Sequence, residues 1–306
     1  MKPVVTLSVE EKTLEKMREY YSIYFRQKEG EYIDFNAVVN DVVITAYLSK
    51  KANHKVVFIG DEALSEAKLW DENAAINVKE EEPKKSWIYF GDQIGSDEVG
   101  VGDFLLPMIV VAAFVSASDV HELIELGIKD SKQLTDETIL SLGPIITKRL
   151  KFSKLTITNE KYNEQIAKGE NINSLKAKMH NRALNNLHEQ YPDVINIFVD
   201  QFVNEKKYYE YLQSGQDSIL RGVTFKTKGE SLFPCVALAS VIARYAFLKE
   251  KEILEDKYHM SIPFGASKKA DAFAQAFINK YGRDEFDKLA KKNFANYRAI
   301  DDIALL

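Results

Sequence analysis

Between residues 71 and 86 the chain loses its apolar pattern. The run Lys79-Glu80-Glu81-Glu82-Pro83-Lys84-Lys85 is charged, carries a proline and offers almost nothing to bury, so it reads as an interdomain linker. The patterns on its two sides differ, and 306 residues leave room for two domains. The expected division is residues 1–70, a linker over 71–86, and residues 87–306.

Before the break, residues 4–8 read as a strand, and residues 10–25 carry Leu14, Met17, Tyr21 and Tyr24 at helical spacing. Residues 33–39, 42–47 and 56–59 predict three more strands. Turns are expected at Asn40-Asp41 and over 49–54, and a short helix over 63–70. This β-α-β-β-β-α order suits a small α+β domain with helices on one face of a curved sheet. After the break, strands are expected over 87–95, 108–115, 155–157 and 194–199. Helices are expected over 117–126, 173–190, 234–258, 271–281 and 285–291. Strands alternating with helices predict an α/β domain on a mixed sheet.

The chemistry concentrates after the break. The apolar run Trp87-Ile88-Tyr89-Phe90 leads into Gly95-Ser96-Asp97-Glu98-Val99-Gly100-Val101-Gly102-Asp103. Two adjacent carboxylates pinned beside a strand must be neutralised, and a divalent ion does that well. Successive strand residues face opposite ways, so both acids reach one ion only if the strand ends or bulges there. Asp200 closes the apolar run 194–199, where open α/β sheets place ligands. Glu230 precedes the helix starting at Pro234, where the helix dipole favours a negative charge. Taken singly, a strand-end acid is more often a solvated turn residue and such a glutamate a cap. Together the four are oxygen donors from three segments, a set that suits Mg2+ or Mn2+ and not zinc. Lys129-Asp130-Ser131-Lys132 could hold a phosphate, and Lys226 and Lys228 flank Glu230.

Other chemistries find no footing. There is no Walker A loop, no complete dinucleotide fingerprint and no nucleophile elbow. The five histidines lack zinc-protease spacing; His180 and His188, eight apart on one helix, are expected at solvent or at a rim. Cys235 is the only cysteine, which excludes an internal disulfide and a thiolate zinc site and fits a buried, inert thiol. A net charge of −5 is not the global footprint of a nucleic-acid binder, but local basic patches can coexist with it. Residues 1–70 hold ten Lys+Arg and eleven Asp+Glu, so any contact there must be local. Lys50, Lys51, His54 and Lys55 are the candidates, with Tyr47 as a stacking residue. No apolar run approaches a membrane span, and Met1-Lys2-Pro3-Val4-Val5 has no signal-peptide core; a cytoplasmic protein is expected.

These residues, in order, resemble the type 2 ribonucleases H, and within them the ribonuclease HIII branch. The carriers are the run 95–103, then Asp130-Ser131-Lys132-Gln133-Leu134, Asn173-Ser174-Leu175-Lys176-Ala177, Val199-Asp200-Gln201-Phe202, Thr227-Lys228-Gly229-Glu230-Ser231 and Ala237-Leu238-Ala239-Ser240-Val241-Ile242-Ala243-Arg244. A glutamate at 230, where ribonuclease HII has aspartate, and the extra N-terminal domain favour HIII. That domain is similar to a half-repeat of TATA-box-binding protein, used for substrate binding. The resemblance implies a ribonuclease H-like mixed-sheet catalytic domain. It implies that Asp97, Glu98, Asp200 and Glu230 are catalytic and bind Mg2+ or Mn2+. It also implies that Gly100, Val101 and Gly102 read 2′-hydroxyls through main-chain groups, and that Ser131, Lys132, Asn173, Lys176 and Lys228 contact substrate. The implied activity is two-metal hydrolysis of the RNA strand of RNA–DNA hybrids, leaving 5′-phosphate and 3′-hydroxyl ends, by a monomer. Cleavage at single embedded ribonucleotides, as in HII, and a non-catalytic nucleic-acid-binding protein are the alternatives.

Overall fold

The computed structural model describes residues 2–26, 32–49, 53–77, 87–128, 133–215 and 217–304. The chain divides into two compact units, Met1–Lys84 and Lys85–Leu306.

In the first unit, β1 (Val4–Glu10) leads into α1 (Glu11–Tyr21), followed by β2 (Ile33–Val39), β3 (Val42–Tyr47), β4 (Asn53–Ile59) and α2 (Ala63–Lys68). The sheet is antiparallel in the order β1-β4-β3-β2. Alternation along the strands sends Val5, Leu7, Phe35, Ile44, Val56 and Phe58 to one face, where they pack with Leu14, Met17 and Tyr21 of α1. Strand β4 begins three residues earlier than expected. Its residues Asn53 and His54 pair with Glu10 and Val9, so 53–54 extend the ladder and are not turn. His54 thereby falls on the covered face. It is buried, accepts from the Ser49 N–H and pairs with Glu11 at 2.6 Å, which removes it from the nucleic-acid candidates. Tyr47 and Lys55 are exposed cross-strand neighbours; Lys50 and Lys51 lie outside the described residues. Residues 71–77, expected to begin the linker, return to this unit. Ile76 bridges to Val5, the Asn77 N–H donates to Val4 O, and Ala74 is buried. Residues 78–86 lie outside the described residues.

The second unit runs β5 (Gln93–Val99), β6 (Met108–Val115), α3 (Asp119–Glu125), α4 (Asp136–Arg149), β7 (Lys151–Ile157), α5 (Asn159–Ala167), α6 (Ile172–His188), β8 (Ile197–Asp200), α7 (Glu205–Leu212), β9 (Val223–Lys226), α8 (Pro234–Tyr258), α9 (Lys268–Tyr281), α10 (Arg283–Leu289) and α11 (Ala295–Ala304). Its sheet has the order β7-β6-β5-β8-β9, antiparallel from β7 to β5 and parallel from β5 to β9. This is the mixed sheet expected. Both faces are covered. Ile109, Val111 and Ala113 pack on α8, whereas Ile94, Val110 and Ala112 pack on α6. Strands buried on both sides read as continuous apolar runs, which is why β6 is plain in the sequence.

The contact between β5 and α8 depends on Gly95. A Cβ there would sit 2.4 Å from Cys235 Sγ and 2.8 Å from Val236 Cγ2. Gly143 plays the same part between α4 and α8: a Cβ there would fall 2.1 Å from Cδ2 of the Tyr245 ring. Helix α4 was not expected, because Gly143 and Pro144 interrupt its apolar pattern. It forms nonetheless, capped by the Thr135 side chain on the Thr138 N–H. The expected strand 87–95 is displaced to 93–99. Trp87 instead tucks under a 3-10 turn (Gly229–Ser231), donating through Nε1 to Glu230 O at 3.4 Å.

Candidate active site

The displacement of β5 decides the geometry of the acid pair. Asp97 and Glu98 do not follow the strand end; they lie within β5, paired with Val111 and Val110 of β6. They therefore face opposite layers.

Asp97 faces α8. It accepts from the Ser240 side chain and, through Oδ1, from the Glu98 N–H at 2.8 Å. Parallel pairing of Ser96 with Val199 sets Asp200 beside it at the end of β8. Asp200 Oδ1 accepts from the Gly229 N–H at 2.8 Å. The Gly229 Cα lies so close that a Cβ there would be 3.3 Å from Asp200 Cα. That contact sets Glu230 next in the chain, buried, with Ser231 Oγ donating to its Oε1 at 3.3 Å. Asp97 and Asp200 thus meet at one end of β5 and β8 on the α8 side, and Gly229, packed against Asp200, brings in Glu230 as the next residue. Burial, then the negative charge of Glu98 and Asp200, pushes the Asp97 carboxyl up to about 8.

Glu98 faces α6, and there it is neutralised. His180 Nε2 donates to it at 2.9 Å, which leaves Nδ1 to accept from the Ser96 hydroxyl at 2.7 Å. Lys176 forms an ion pair with the other carboxylate oxygen and stacks its ammonium over the Phe202 ring at 4.0 Å. Burial raises the Glu98 carboxyl, but His180 and Lys176 outweigh it and hold it below the usual range. His180 is fully buried, not at solvent or at a rim. Lys176, expected on substrate, has its ammonium committed to Glu98. Lys176 and His180 are four apart on α6, hence on one face, and that face meets the even-numbered residues of β5.

The glycine loop follows directly. Gly100 has φ +84, and a Cβ there would be 2.1 Å from Pro107 O, so only glycine fits. Nothing lies within 4 Å of a Cβ at Gly102. Asn173 sits half-buried in the first turn of α6, capped by Asn171. Lys228 is exposed with φ +59 beside Gly229. Ser131 and Lys132 lie outside the described residues. Asp136 grips Arg244 with two hydrogen bonds, at 2.9 and 2.8 Å, at the rim of a pocket shared with Leu134 and Ser240.

Among the described residues no three acid, histidine or cysteine side chains are already turned into a metal cage. Glu98 is drawn to the opposite face, and Asp97, Asp200 and Glu230 are each held by a different donor, Ser240, Gly229 and Ser231. The donor chemistry still suits a hard cation. The three acids on the α8 side are all oxygen donors, and Asp97 is held against their mutual repulsion. Mg2+ needs only one or two protein carboxylates when waters and substrate phosphates complete its shell.

A family model described as ribonuclease HII matches residues 94–297, and one described as a domain of unknown function matches residues 4–84. Ribonuclease HIII of Bacillus anthracis is 36% identical over 302 residues, 95% of this chain and 96% of the relative. That of Bacillus cereus is 36% identical over 303 residues. The crystal structure of Bst-RNase HIII in complex with Mn2+ aligns with a TM-score of 0.68 at 32% identity, covering 98% of this chain and 99% of the other.

Proposed function

The chain belongs to the ribonuclease HIII family of type 2 ribonucleases H, and from that premise we propose that it cuts the RNA strand of RNA–DNA hybrids, leaving 5′-phosphate and 3′-hydroxyl ends. The observation that carries this reading is the meeting of Asp97 and Asp200 at the sheet end, with Glu230 following Gly229 beside them and the exposed Gly102 in the loop after β5. Asp97, Glu98, Asp200 and Glu230 would hold two divalent ions, Mg2+ or Mn2+, with Glu98 joining from the opposite face of β5. Such ions, when bound, supply a nucleophilic water at neutral pH and offset the charge of the scissile phosphate. A relative solved with Mn2+ supports the choice of a hard cation.

The chain's own groups do the remaining work. Ser240 orients Asp97, and Gly229 orients Asp200. Gly100, Val101 and Gly102 bring the backbone close enough to contact 2′-hydroxyls, which is what separates RNA from DNA. Asn173, in the first turn of α6, and Lys228, exposed two residues before Glu230, are assigned to the duplex backbone, with Ser131 and Lys132 as further phosphate contacts. Lys176 acts through Glu98 and not on substrate. The first unit is a substrate platform, with Tyr47 and Lys55 on its open face, and the enzyme works as a cytoplasmic monomer. No helix among the described residues is long and apolar enough to cross a membrane.

The test is a labelled hybrid incubated with Mg2+ or Mn2+. Cleavage that EDTA abolishes, together with poor cutting of a duplex carrying one ribonucleotide, is expected. Efficient cutting of that second duplex would instead favour the HII-type activity, and metal-independent binding without cleavage a non-catalytic role. Removing residues 1–84 should weaken hybrid binding by about tenfold or more while changing the rate of bound enzyme little, measured as a split between KM and kcat. Equal KM for the two forms would assign the first unit another task.

A further inference from the structure

One lysine far in sequence from the acids grips the glycine loop. Helix α10 ends at Leu289, two residues short of the expected boundary, so Lys291 lies on an extended segment. Its side chain is fully buried. Its Nζ donates to Gly100 O at 2.6 Å, Asp103 O at 2.6 Å and Leu106 O at 2.8 Å, and its own N–H donates to Phe104 O at 2.9 Å. An ammonium has three protons, and all three are taken by carbonyls of one loop. The Tyr162 and Phe294 rings stand 5.6 and 5.8 Å from Nζ. Helix α5 seats the segment from outside: Asn159 donates to Leu289 O at 2.6 Å. Asn163 donates to Ala290 O at 2.8 Å and accepts from the Lys292 N–H at 2.9 Å.

The grip has a directional consequence. In a planar trans peptide the carbonyl and the following N–H point opposite ways. A Gly100 carbonyl drawn inward by Lys291 therefore turns the Val101 N–H outward. Among the described residues that N–H has no partner, and the space beside Gly102 is open. Apolar packing alone needs no buried ammonium here, since a methionine has similar reach. An ammonium aims three carbonyls at once.

We infer that Lys291 is a positioning residue for RNA recognition: it draws the Gly100 carbonyl inward and so presents the Val101 N–H to a ribose 2′-hydroxyl. This deepens the hybrid-cleaving reading and rests on it. The experiment uses the full chain with Mg2+ and compares wild type, Lys291→Met and Asn163→Ala. It measures kcat and KM on an RNA–DNA hybrid and the inhibition constant of an all-DNA duplex of the same sequence. Lys291→Met should raise KM for the hybrid on the order of tenfold, the worth of one hydrogen bond, with the DNA inhibition constant unchanged. Asn163→Ala keeps the ammonium but loosens its seat, and should shift KM in the same direction by less. It carries the test alone if Lys291→Met does not fold. Variants that melt earlier yet keep the wild-type preference for hybrid over DNA would overturn the inference and leave a purely structural lysine. A wild-type chain without that preference would overturn the functional reading itself, and the role given to Lys291 with it.

Discussion

Asp97 and Glu98 are neighbours with the same charge, yet the two faces of β5 treat them oppositely. On the α6 face, Glu98 meets His180 and Lys176 and is held ionised. On the α8 face, Asp97 meets Ser240, Asp200 and its own neighbour's charge, and its carboxyl is pushed up to about 8. One face is neutralised by the protein. The other is left for something else to neutralise. Strand alternation, not the choice of residue, makes the difference.

The largest expected effect comes from removing the charge on the open face. Asp97→Asn should lower metal-dependent cleavage by at least about a thousandfold. In metal-free protein the same change should raise stability, by roughly 1–2 kcal/mol or a few degrees in Tm near pH 8, because it removes a repelled charge. A variant that is inactive and also less stable would break the comparison. On the closed face the sign reverses. Lys176→Met strips a cation from a buried carboxylate and should cost about 2–4 kcal/mol in denaturant unfolding. A near-neutral result would mean that Glu98 needs no internal partner. Gly95→Ala tests the packing behind the open face, where a Cβ meets Cys235 and Val236; it should cost about 1–3 kcal/mol.

The smallest effect is a slope. The folded chain holds the Asp97 proton more tightly than the unfolded chain does. Its contribution to stability is therefore fully present below the ordinary value of 3.8 and is lost as pH rises towards 8. Melting of metal-free protein should fall across that window more steeply in wild type than in Asp97→Asn. Because proton and cation compete for the same carboxylate, apparent Mg2+ affinity should rise over the same range. Parallel melting curves for the two proteins would remove Asp97 as the titrating group.

Much of this was legible in the chain. Strands β3 and β6 and helix α8 carry continuous or periodic apolar patterns with clear ends, Pro234 among them, and their boundaries follow directly. The three segments that bring Asp97, Asp200 and Glu230 were legible too, as an ordered set of short motifs. The register of β5 was not. Trp87-Ile88-Tyr89-Phe90 looks more strand-like than Ser96-Asp97-Glu98, but Trp87 is needed beneath Glu230, and pairing with β6 pulls polar residues into the ladder. Helix α4 was hidden by Gly143-Pro144, whose cost is offset by packing against Tyr245. His180 and Lys291 were illegible for one shared reason. A polar side chain becomes central through partners distant in sequence, 82 positions away for Glu98 and 191 for Gly100, and no local pattern announces them.

The central claim is that the open face of β5 holds the catalytic cations. Anomalous diffraction at the manganese edge, from a crystal of the chain with Mn2+ and a short hybrid, tests it most directly. Peaks bounded by Asp97, Asp200 and Glu230, and lost in Asp97→Asn, are the predicted result. Manganese located elsewhere, with those three carboxylates bare, would contradict it.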